Sequence, residues 1–149
     1  MKPDPARVEL GNYPYSIEIP TRFGDVDIQM HINNVAIVQL FEESRVRFSL
    51  FFQEIRFGDF RQAARIVVKD MRFSYLREVT YPEPVTVGVG VKHIGNTSYQ
   101  IGCGMFQNGV CVALNDAVSV CSNGARAIPL PDAIGEVLPR YLIANLQPS

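Results

Sequence analysis

The side chains best suited to chemistry in this sequence are concentrated in one stretch of ten residues, DVDIQMHINN. It contains Asp25 and Asp27, then His31, and then the adjacent pair Asn33 and Asn34. A carboxylate can serve as a nucleophile or general base, and a histidine can donate a proton or orient a substrate. An asparagine side chain can also accept a hydrogen bond from a free N–H group in the first turn of a helix. The stretch therefore predicts a polar loop that brings a carboxylate to the start of a helix.

Two elements must position this loop, a strand before it and a helix after it. Residues 13–22 alternate in part between apolar and polar side chains and predict a strand, in which Pro14 and Pro20 favour an edge or a strand end. Residues 33–52 carry apolar side chains at spacings of three, four and seven, which predicts a helix. The apolar face of this helix is wider than one stripe, so we expect other structure to wrap it.

After a less regular stretch that ends at Gln62, the pattern becomes that of strands. The segments with this pattern are residues 65–76, 84–93, 97–107 and 110–122. Asn108 and Gly109 form a two-residue hairpin signal, and short connections imply antiparallel pairing. A single apolar helix must then cover one face of the sheet. The sequence predicts an α+β fold in which a curved antiparallel sheet of about five strands wraps around one long helix.

Composition limits the classes of function. The chain has 149 residues, of which 47% are hydrophobic and 19% charged, and this balance predicts one folded domain rather than disorder. We place that domain at residues 13–138, between tails at 1–12 and 139–149. The net charge of -1, with scattered basic residues, gives no sign of a nucleic-acid partner. Without a signal peptide or a long apolar run, the chain is interpreted as cytoplasmic, with no membrane partner.

The three cysteines are Cys103, Cys111 and Cys121, all in predicted strands. They are too few and too widely spaced for a zinc site, so the sequence predicts no metal. Buried free thiols are the expected outcome, and they suit a reducing compartment.

The stretch RFGDVDIQMHINNVAIVQLFEESR resembles the signature of the 4-hydroxybenzoyl-CoA thioesterase-like family of acyl-CoA thioesterases. In that family an Asp-x-Asp segment leads into a Gly-His-Val-Asn-Asn loop, and the following helix carries Glu-Glu-x-Arg. The matching residues are Asp25, Asp27, His31, Asn33, Asn34, Glu42, Glu43 and Arg45. The resemblance extends over residues 13–138 and includes the turn at 94–98 and the segment 126–129. It implies the hotdog fold.

The resemblance also implies an activity, the hydrolysis of an acyl-CoA to a free acid and CoA with no metal or other cofactor. It assigns the catalytic carboxylate to Asp27, as nucleophile or general base. The N–H groups at the helix start would polarise the thioester carbonyl, because they carry the positive end of the helix dipole. The residues expected to contact substrate are His31, Ile32, Asn33, Asn34, Thr97 and Ser98.

The residues alone leave several roles open. In an extended segment Asp25 and Asp27 point the same way, so alternation does not separate them. His31 is interpreted as a loop residue that bonds backbone groups rather than as a base. Glu42 and Glu43 are either an alternative base or a solvated pair bonded to nearby arginines.

Three residues outside the loop also have open roles. Asp116 interrupts an apolar strand, which places it at an interface or near the site. Lys92 and Arg126 are candidate partners for the CoA diphosphate.

Two departures from the family pattern concern the loop and the helix. Met30 stands where the family has a loop glycine, and Ile37 stands where a helix tyrosine is frequent. A glycine allows positive φ and close approach of a thioester. We therefore expect Met30 either to narrow the acyl pocket or to alter the approach of the thioester.

The resemblance further implies a homodimer, assembled into a homotetramer, because sites in this family form between subunits and a single subunit has an open sheet edge. Two alternatives remain: a thioesterase that acts on an acyl carrier protein, and a non-catalytic protein that binds acyl-CoA.

Overall fold

A computed structural model describes residues 2–53 and 65–148 of the chain. Its strands are β1 (Tyr15–Ile19), β2 (Arg65–Tyr75), β3 (Val85–Ile94), β4 (Ser98–Gln107) and β5 (Val110–Ser122). Its α-helices are α1 (Asn34–Gln53) and the short α2 (Asp132–Gly135). Single 3₁₀ turns occur at Pro5–Val8, Leu10–Asn12, Phe23–Asp25 and Leu138–Tyr141.

The strands form one antiparallel sheet in the order β1-β3-β4-β5-β2, and α1 packs on its inner face. This is the predicted hotdog arrangement, and the predicted element bounds lie within a few residues of those observed. The less regular stretch that ends at Gln62 lies mostly outside the described residues. Among the helices that the structure describes, none has the length and apolar character needed to cross a bilayer.

The connection between β2 and β3 is longer than the short turns that the sequence predicts between all of these strands. Residues 76–84 carry the chain from β2 to β3 without pairing these two strands, so β2 pairs with β5 and β3 pairs with β1 and β4. The burial of each strand explains the order. Six of the ten residues of β3 are buried, which suits an inner strand, whereas β2 is largely exposed and lies at an edge.

The core lies between α1 and the inner face of the sheet. Phe41 and Phe48 of the helix are fully buried there, against inward-facing side chains such as Val89 and Met105. The three cysteines are free and buried, as the sequence predicts. No described residue covers the opposite side of α1, where Val46 and Leu50 are about half exposed.

The described parts of both terminal segments pack on the outer face of the sheet. Ala6 and Arg7 are buried, and Ile143 donates its backbone N–H to the Val91 carbonyl at 3.0 Å. Glycines on the outer face make room for this packing: a Cβ on Gly88 would lie 2.6 Å from the ring of Tyr13. The termini therefore cover part of the face opposite α1.

Candidate active site

The loop that precedes α1 is closed by hydrogen bonds centred on Asp27. Its Oδ1 accepts the backbone N–H of Gln29 at 2.9 Å and that of His31 at 3.2 Å. The backbone N–H of Asp27 donates to the His31 carbonyl at 2.8 Å, and that of Met30 donates to the Asp27 carbonyl at 3.0 Å. Within the described part of the chain, the other carboxylate oxygen, Oδ2, has no hydrogen-bond partner. One oxygen therefore shapes the loop while the other remains available to a substrate or a water.

Met30 adopts the backbone conformation for which the family uses glycine. Its φ is 65°, in the left-handed region that costs a residue with a side chain about 1–2 kcal/mol. The side chain is 71% exposed and does not line the cleft described below. The loop thus accommodates Met30 at the cost of backbone strain.

Asn33 is the N-cap of α1, one of the two adjacent asparagines that the sequence offers for this role. Its Oδ1 accepts the backbone N–H of Ala36 at 2.8 Å, and its own N–H and Nδ2 both donate to the Asp25 carbonyl at 2.9 Å. The first two N–H groups of the helix, those of Asn34 and Val35, donate to no acceptor in the described residues. They carry the positive end of the helix dipole and are open to an anionic oxygen.

The two aspartates, which alternation could not separate, have different surroundings. Asp25 ends a 3₁₀ turn rather than an extended segment, and its carboxylate lies 3.9 Å from the Arg22 guanidinium. Its backbone carbonyl anchors the helix cap. Asp27 instead lines a cleft at the helix start.

The cleft has a volume of about 390 Å³. Asp27, His31, Ile32 and Asn34 line one side of it, and the other side is formed by the segment that follows β2. The structure therefore brings together four of the residues expected from the sequence, with the Asn33 cap directly beside them. Their roles in catalysis and binding stay predictions.

The segment opposite the loop contributes residues that the sequence analysis did not single out. Tyr75, Arg77 and Glu78 line the cleft, and Glu78 Oε2 lies 3.0 Å from His31 Nε2. The backbone N–H of Ile32 donates to the Val79 carbonyl at 2.8 Å, which ties the loop to this segment. No local pattern marks these residues, because their place in the cleft depends on where the chain goes after β2.

A buried glutamine anchors that segment to the sheet. Gln107 Nε2 donates to the carbonyls of Thr80 and Glu83 at 2.8 and 2.9 Å. The backbone N–H of Thr80 donates back to Gln107 Oε1 at 2.9 Å. The wall of the cleft is thus fixed to the end of β4.

Two predicted substrate contacts lie away from this cleft in the same chain. Thr97 and Ser98 sit at the turn between β3 and β4, where Ser98 and Val67 both pair with Val120 of β5. Val67 and Tyr75 are at opposite ends of β2, roughly 25 Å apart at about 3.3 Å per residue. Thr97 and Ser98 therefore do not join the Asp27 cleft of their own chain.

The other carboxylates considered from the sequence also lie outside the Asp27 cleft. Glu42 and Glu43 are exposed on α1 and line no part of the cleft, and Glu43 accepts a hydrogen bond from Arg47 at 3.0 Å. Asp116 is on the outer face, where it pairs with Arg7 at 2.7 Å and with Lys92 at 3.1 Å. Of the carboxylates considered from the sequence, Asp27 is thus the one that lines the cleft at the helix start, where Glu78 faces it from the opposite wall.

No metal cluster accompanies the cleft in the described ranges, 2–53 and 65–148. Nowhere in them do three His, Cys, Asp or Glu side chains come close enough together to hold an ion.

Comparisons with solved structures identify the same fold in several bacterial proteins. A protein from Pseudomonas aeruginosa strain PAO1 superposes with a TM-score of 0.77 at 23% identity, over 95% of this chain and 99% of its own. A protein from Bacillus stearothermophilus, described as a predicted thioesterase, gives 0.76 at 31% identity, over 91% and 98%. A thioesterase from Thermus thermophilus, solved with coenzyme A and Zn, gives 0.72 at 32% identity, over 85% and 98%.

Sequence comparison agrees with the structural one. Residues 21–138 match the model of the thioesterase-like superfamily, although a search of curated proteins finds no match. The matched range includes the Asp27 loop, α1 and four of the five strands. Because that range spans well over half of the chain, this protein is a member of the thioesterase-like superfamily.

Proposed function

We propose that the protein hydrolyses an acyl-CoA thioester to a free acid and CoA, with Asp27 as the catalytic carboxylate. The observation that carries this proposal is the position of Asp27 in the cleft at the start of α1, with Oδ2 unbonded in the described residues. The Thermus thermophilus thioesterase solved with coenzyme A supports the choice of a CoA thioester.

The chemistry follows from this arrangement. The N–H groups of Asn34 and Val35 would stabilise the oxyanion that forms when the thioester carbonyl is attacked. As general base, Asp27 would take a proton from a water as that water attacks, and the CoA thiolate would leave with the electrons of the C–S bond. As nucleophile, Asp27 would form an acyl anhydride and release the thiolate, and water would then cleave the anhydride.

The two roles differ in where the oxygen of water first appears. In a single turnover in ¹⁸O-water, a general base places the label in the free acid. A nucleophile that is regenerated by attack of water at its own carbonyl places the label in the Asp27 carboxylate. Mass analysis of the free acid and of the protein therefore separates the two roles. If water instead attacks the acyl carbon of the anhydride, both roles label the free acid. Trapping the anhydride with hydroxylamine then identifies Asp27 as a nucleophile.

We also propose that the working form is a homodimer, further assembled into a homotetramer. In the part of the chain that the structure describes, one edge of β2 has no partner strand, and Val67 and Val68 are each more than 40% exposed. The side of α1 that the described residues leave open adds Val46 and Leu50 to the exposed apolar surface. A second copy that packed against this surface would satisfy the strand edge and bury these side chains.

The first experiment is release of free thiol from a panel of acyl-CoAs with short, long, branched and aromatic acyl groups, in the presence of EDTA. The proposal predicts turnover of at least one class without added metal or cofactor. Turnover of acyl carrier protein thioesters, with none of acyl-CoAs, would show that the substrate is a thioester of the carrier protein. Binding of CoA without any turnover, by a folded protein, would contradict the hydrolase proposal.

A further inference from the structure

A second concave surface lies on the outer face of the sheet and is not used by the mechanism above. It is a groove of about 770 Å³, with β2 on one side and the two terminal segments on the other. Arg72 and Ser74 project into it from β2, and Lys92, Gln100 and Asp116 form its floor. The groove exists because the termini fold back over this face.

The acidic groups of the groove are already engaged by the protein. The Asp116 carboxylate accepts from Arg7 Nη1 at 2.7 Å and from Lys92 Nζ at 3.1 Å. The Asp4 carboxylate accepts two backbone N–H groups, from Ala6 at 2.9 Å and from Gln147 at 2.8 Å. Neither carboxylate is therefore a free ligand for a cation.

The basic groups are in excess. Among the described residues, four basic side chains line the groove against two carboxylates, in a chain whose net charge is -1. These four are Lys2, Arg7, Arg72 and Lys92. Arg72 pairs in register with Asp116 across β2 and β5, yet its exposed guanidinium makes no ion pair or hydrogen bond within the described residues. A concave surface with unneutralised cations attracts anions, and arginine and lysine are well suited to phosphate.

The groove and the Asp27 cleft meet at one residue. Leu76 lines both of them, and Tyr75, just before it, lines only the cleft. Because side chains alternate along a strand, the end of β2 presents Tyr75 to the inner face and Leu76 to the outer face. A ligand with its reactive group near Asp27 and a long arm can therefore reach the groove around the end of β2.

We propose that this groove binds the phosphate groups of the nucleotide half of an acyl-CoA, an assignment that rests on the proposed hydrolysis of such a thioester. The Arg72 guanidinium and the Lys92 ammonium contact the phosphates, and the pantetheine arm passes Leu76 to the cleft. Arg126, the other basic residue considered for the diphosphate from the sequence, is exposed in the loop after β5 and does not line the groove.

The test compares two substrates that share an acyl group, an acyl-CoA and the corresponding acyl-pantetheine, which has no phosphate. Arg72→Gln is expected to raise KM for the acyl-CoA about tenfold, the scale of one charge-assisted hydrogen bond. It should leave kcat within about twofold and leave KM for the acyl-pantetheine unchanged. Arg140→Gln, which removes an exposed charge outside both concave surfaces, is the control and should change neither KM.

Lys92→Gln supplies a second variant, since it removes a cation from the floor of the groove. Unchanged KM for acyl-CoA in both folded variants would overturn the assignment. An equal rise of KM for both thioesters would also overturn it, because the phosphates would then play no part in the effect.

Direct binding separates this proposal from the hydrolase proposal. Adenosine 3′,5′-bisphosphate is titrated calorimetrically into the wild-type protein and into Arg72→Gln, and inorganic phosphate is titrated in parallel. The assignment predicts that the bisphosphate binds at least tenfold more tightly than inorganic phosphate, and that Arg72→Gln weakens its binding. Equal affinity for the two would indicate a simple phosphate site and contradict the CoA assignment. If bisphosphate binds in this way but no thioester is hydrolysed, the hydrolase proposal fails and the groove remains a nucleotide site.

Discussion

Asp27 and His31 are joined by two hydrogen bonds that close the loop before α1. Oδ1 of Asp27 accepts the His31 backbone N–H at 3.2 Å, and the Asp27 backbone N–H donates to the His31 carbonyl at 2.8 Å. The residue proposed for catalysis thus also determines the conformation of the loop that presents it. Substitutions at Asp27 must separate these two effects.

Asp27→Asn is expected to do so, because the amide oxygen still accepts the two loop N–H groups while the negative charge is lost. We expect turnover to fall by at least about a hundredfold, a typical scale for removal of a catalytic acid or base, with acyl-CoA binding retained. Steady-state kinetics and calorimetric binding measure the two quantities. Asp25→Asn is the matched control, since Asp25 lies two residues away beside Arg22 and lines no part of the cleft. Equal losses in both variants would argue against a catalytic role for Asp27.

Met30→Gly is expected to stabilise the protein. The left-handed backbone at φ 65° costs a side-chain-bearing residue about 1–2 kcal/mol, and the greater flexibility of glycine in the unfolded chain offsets about 0.5–1 kcal/mol of the relief. The free energy of unfolding should therefore rise by about 0.5–1 kcal/mol, as measured by urea denaturation. Met30→Ala keeps the strain and should show no such gain. A loss of stability in Met30→Gly would mean that the exposed methionine side chain makes a contact outside this single chain.

Gly88→Ala is expected to destabilise the packing of the amino-terminal segment on the sheet. The new Cβ would lie 2.6 Å from Tyr13 Cγ, and the ring is held by hydrogen bonds between the Tyr13 hydroxyl and Arg7. A cost of about 1–3 kcal/mol is typical of overpacking a buried site. Thermal or urea unfolding measures it, with Gly11→Ala as control because no atom lies within 4 Å of a Cβ there. Equal effects of the two changes would show that Tyr13 moves aside without cost.

Cys103 makes stability depend on pH in the alkaline range. Burial raises the pKa of its thiol from an ordinary 9.0 to about 12. Between these values the unfolded chain releases this proton and the folded protein retains it, so the free energy of unfolding falls as pH rises. The contribution is fully present below about pH 9 and declines by about 1.4 kcal/mol per pH unit above it.

Cys103→Ala tests that contribution, because other buried groups such as Tyr99, whose pKa burial raises to about 12, act in the same direction. Urea unfolding is measured from about pH 8 to about pH 11 for both proteins, a range that brackets the ordinary thiol pKa. The slope of unfolding free energy against pH should be shallower in Cys103→Ala by about one proton. Identical slopes would show that the thiol ionises in the folded protein as it does in the unfolded chain.

The side of α1 that no described residue covers leads to a prediction about assembly. Leu50→Glu places a charge on the exposed apolar surface, and burying an unpaired carboxylate against a second copy would be costly. Light scattering should show a dimer or tetramer for the wild-type protein and smaller species for Leu50→Glu. Val110→Glu is the control, because Val110 is similarly exposed (44%) but lies in the β4–β5 hairpin. A wild-type monomer at micromolar concentration would contradict the proposed assembly.

The secondary-structure elements and the polar character of the loop could be predicted from the amino-acid sequence. The Asn108-Gly109 signal corresponds to a turn with φ values of 53° and 77°, as a two-residue hairpin of this type requires. The asparagine pair marked the start of α1, and the spacing of apolar residues marked its length. These features are local: residues that are neighbours in the chain are sufficient to produce them.

Contacts between residues that are distant in the chain became visible in the folded structure. It placed β2 at the edge beside β5, brought Glu78 to within 3.0 Å of His31, and put Asp116 on the face opposite the cleft. It also separated Asp25 from Asp27, which the sequence pattern treats alike. Strand order and the path of a connection depend on burial summed over the whole sheet, and no short segment contains that information.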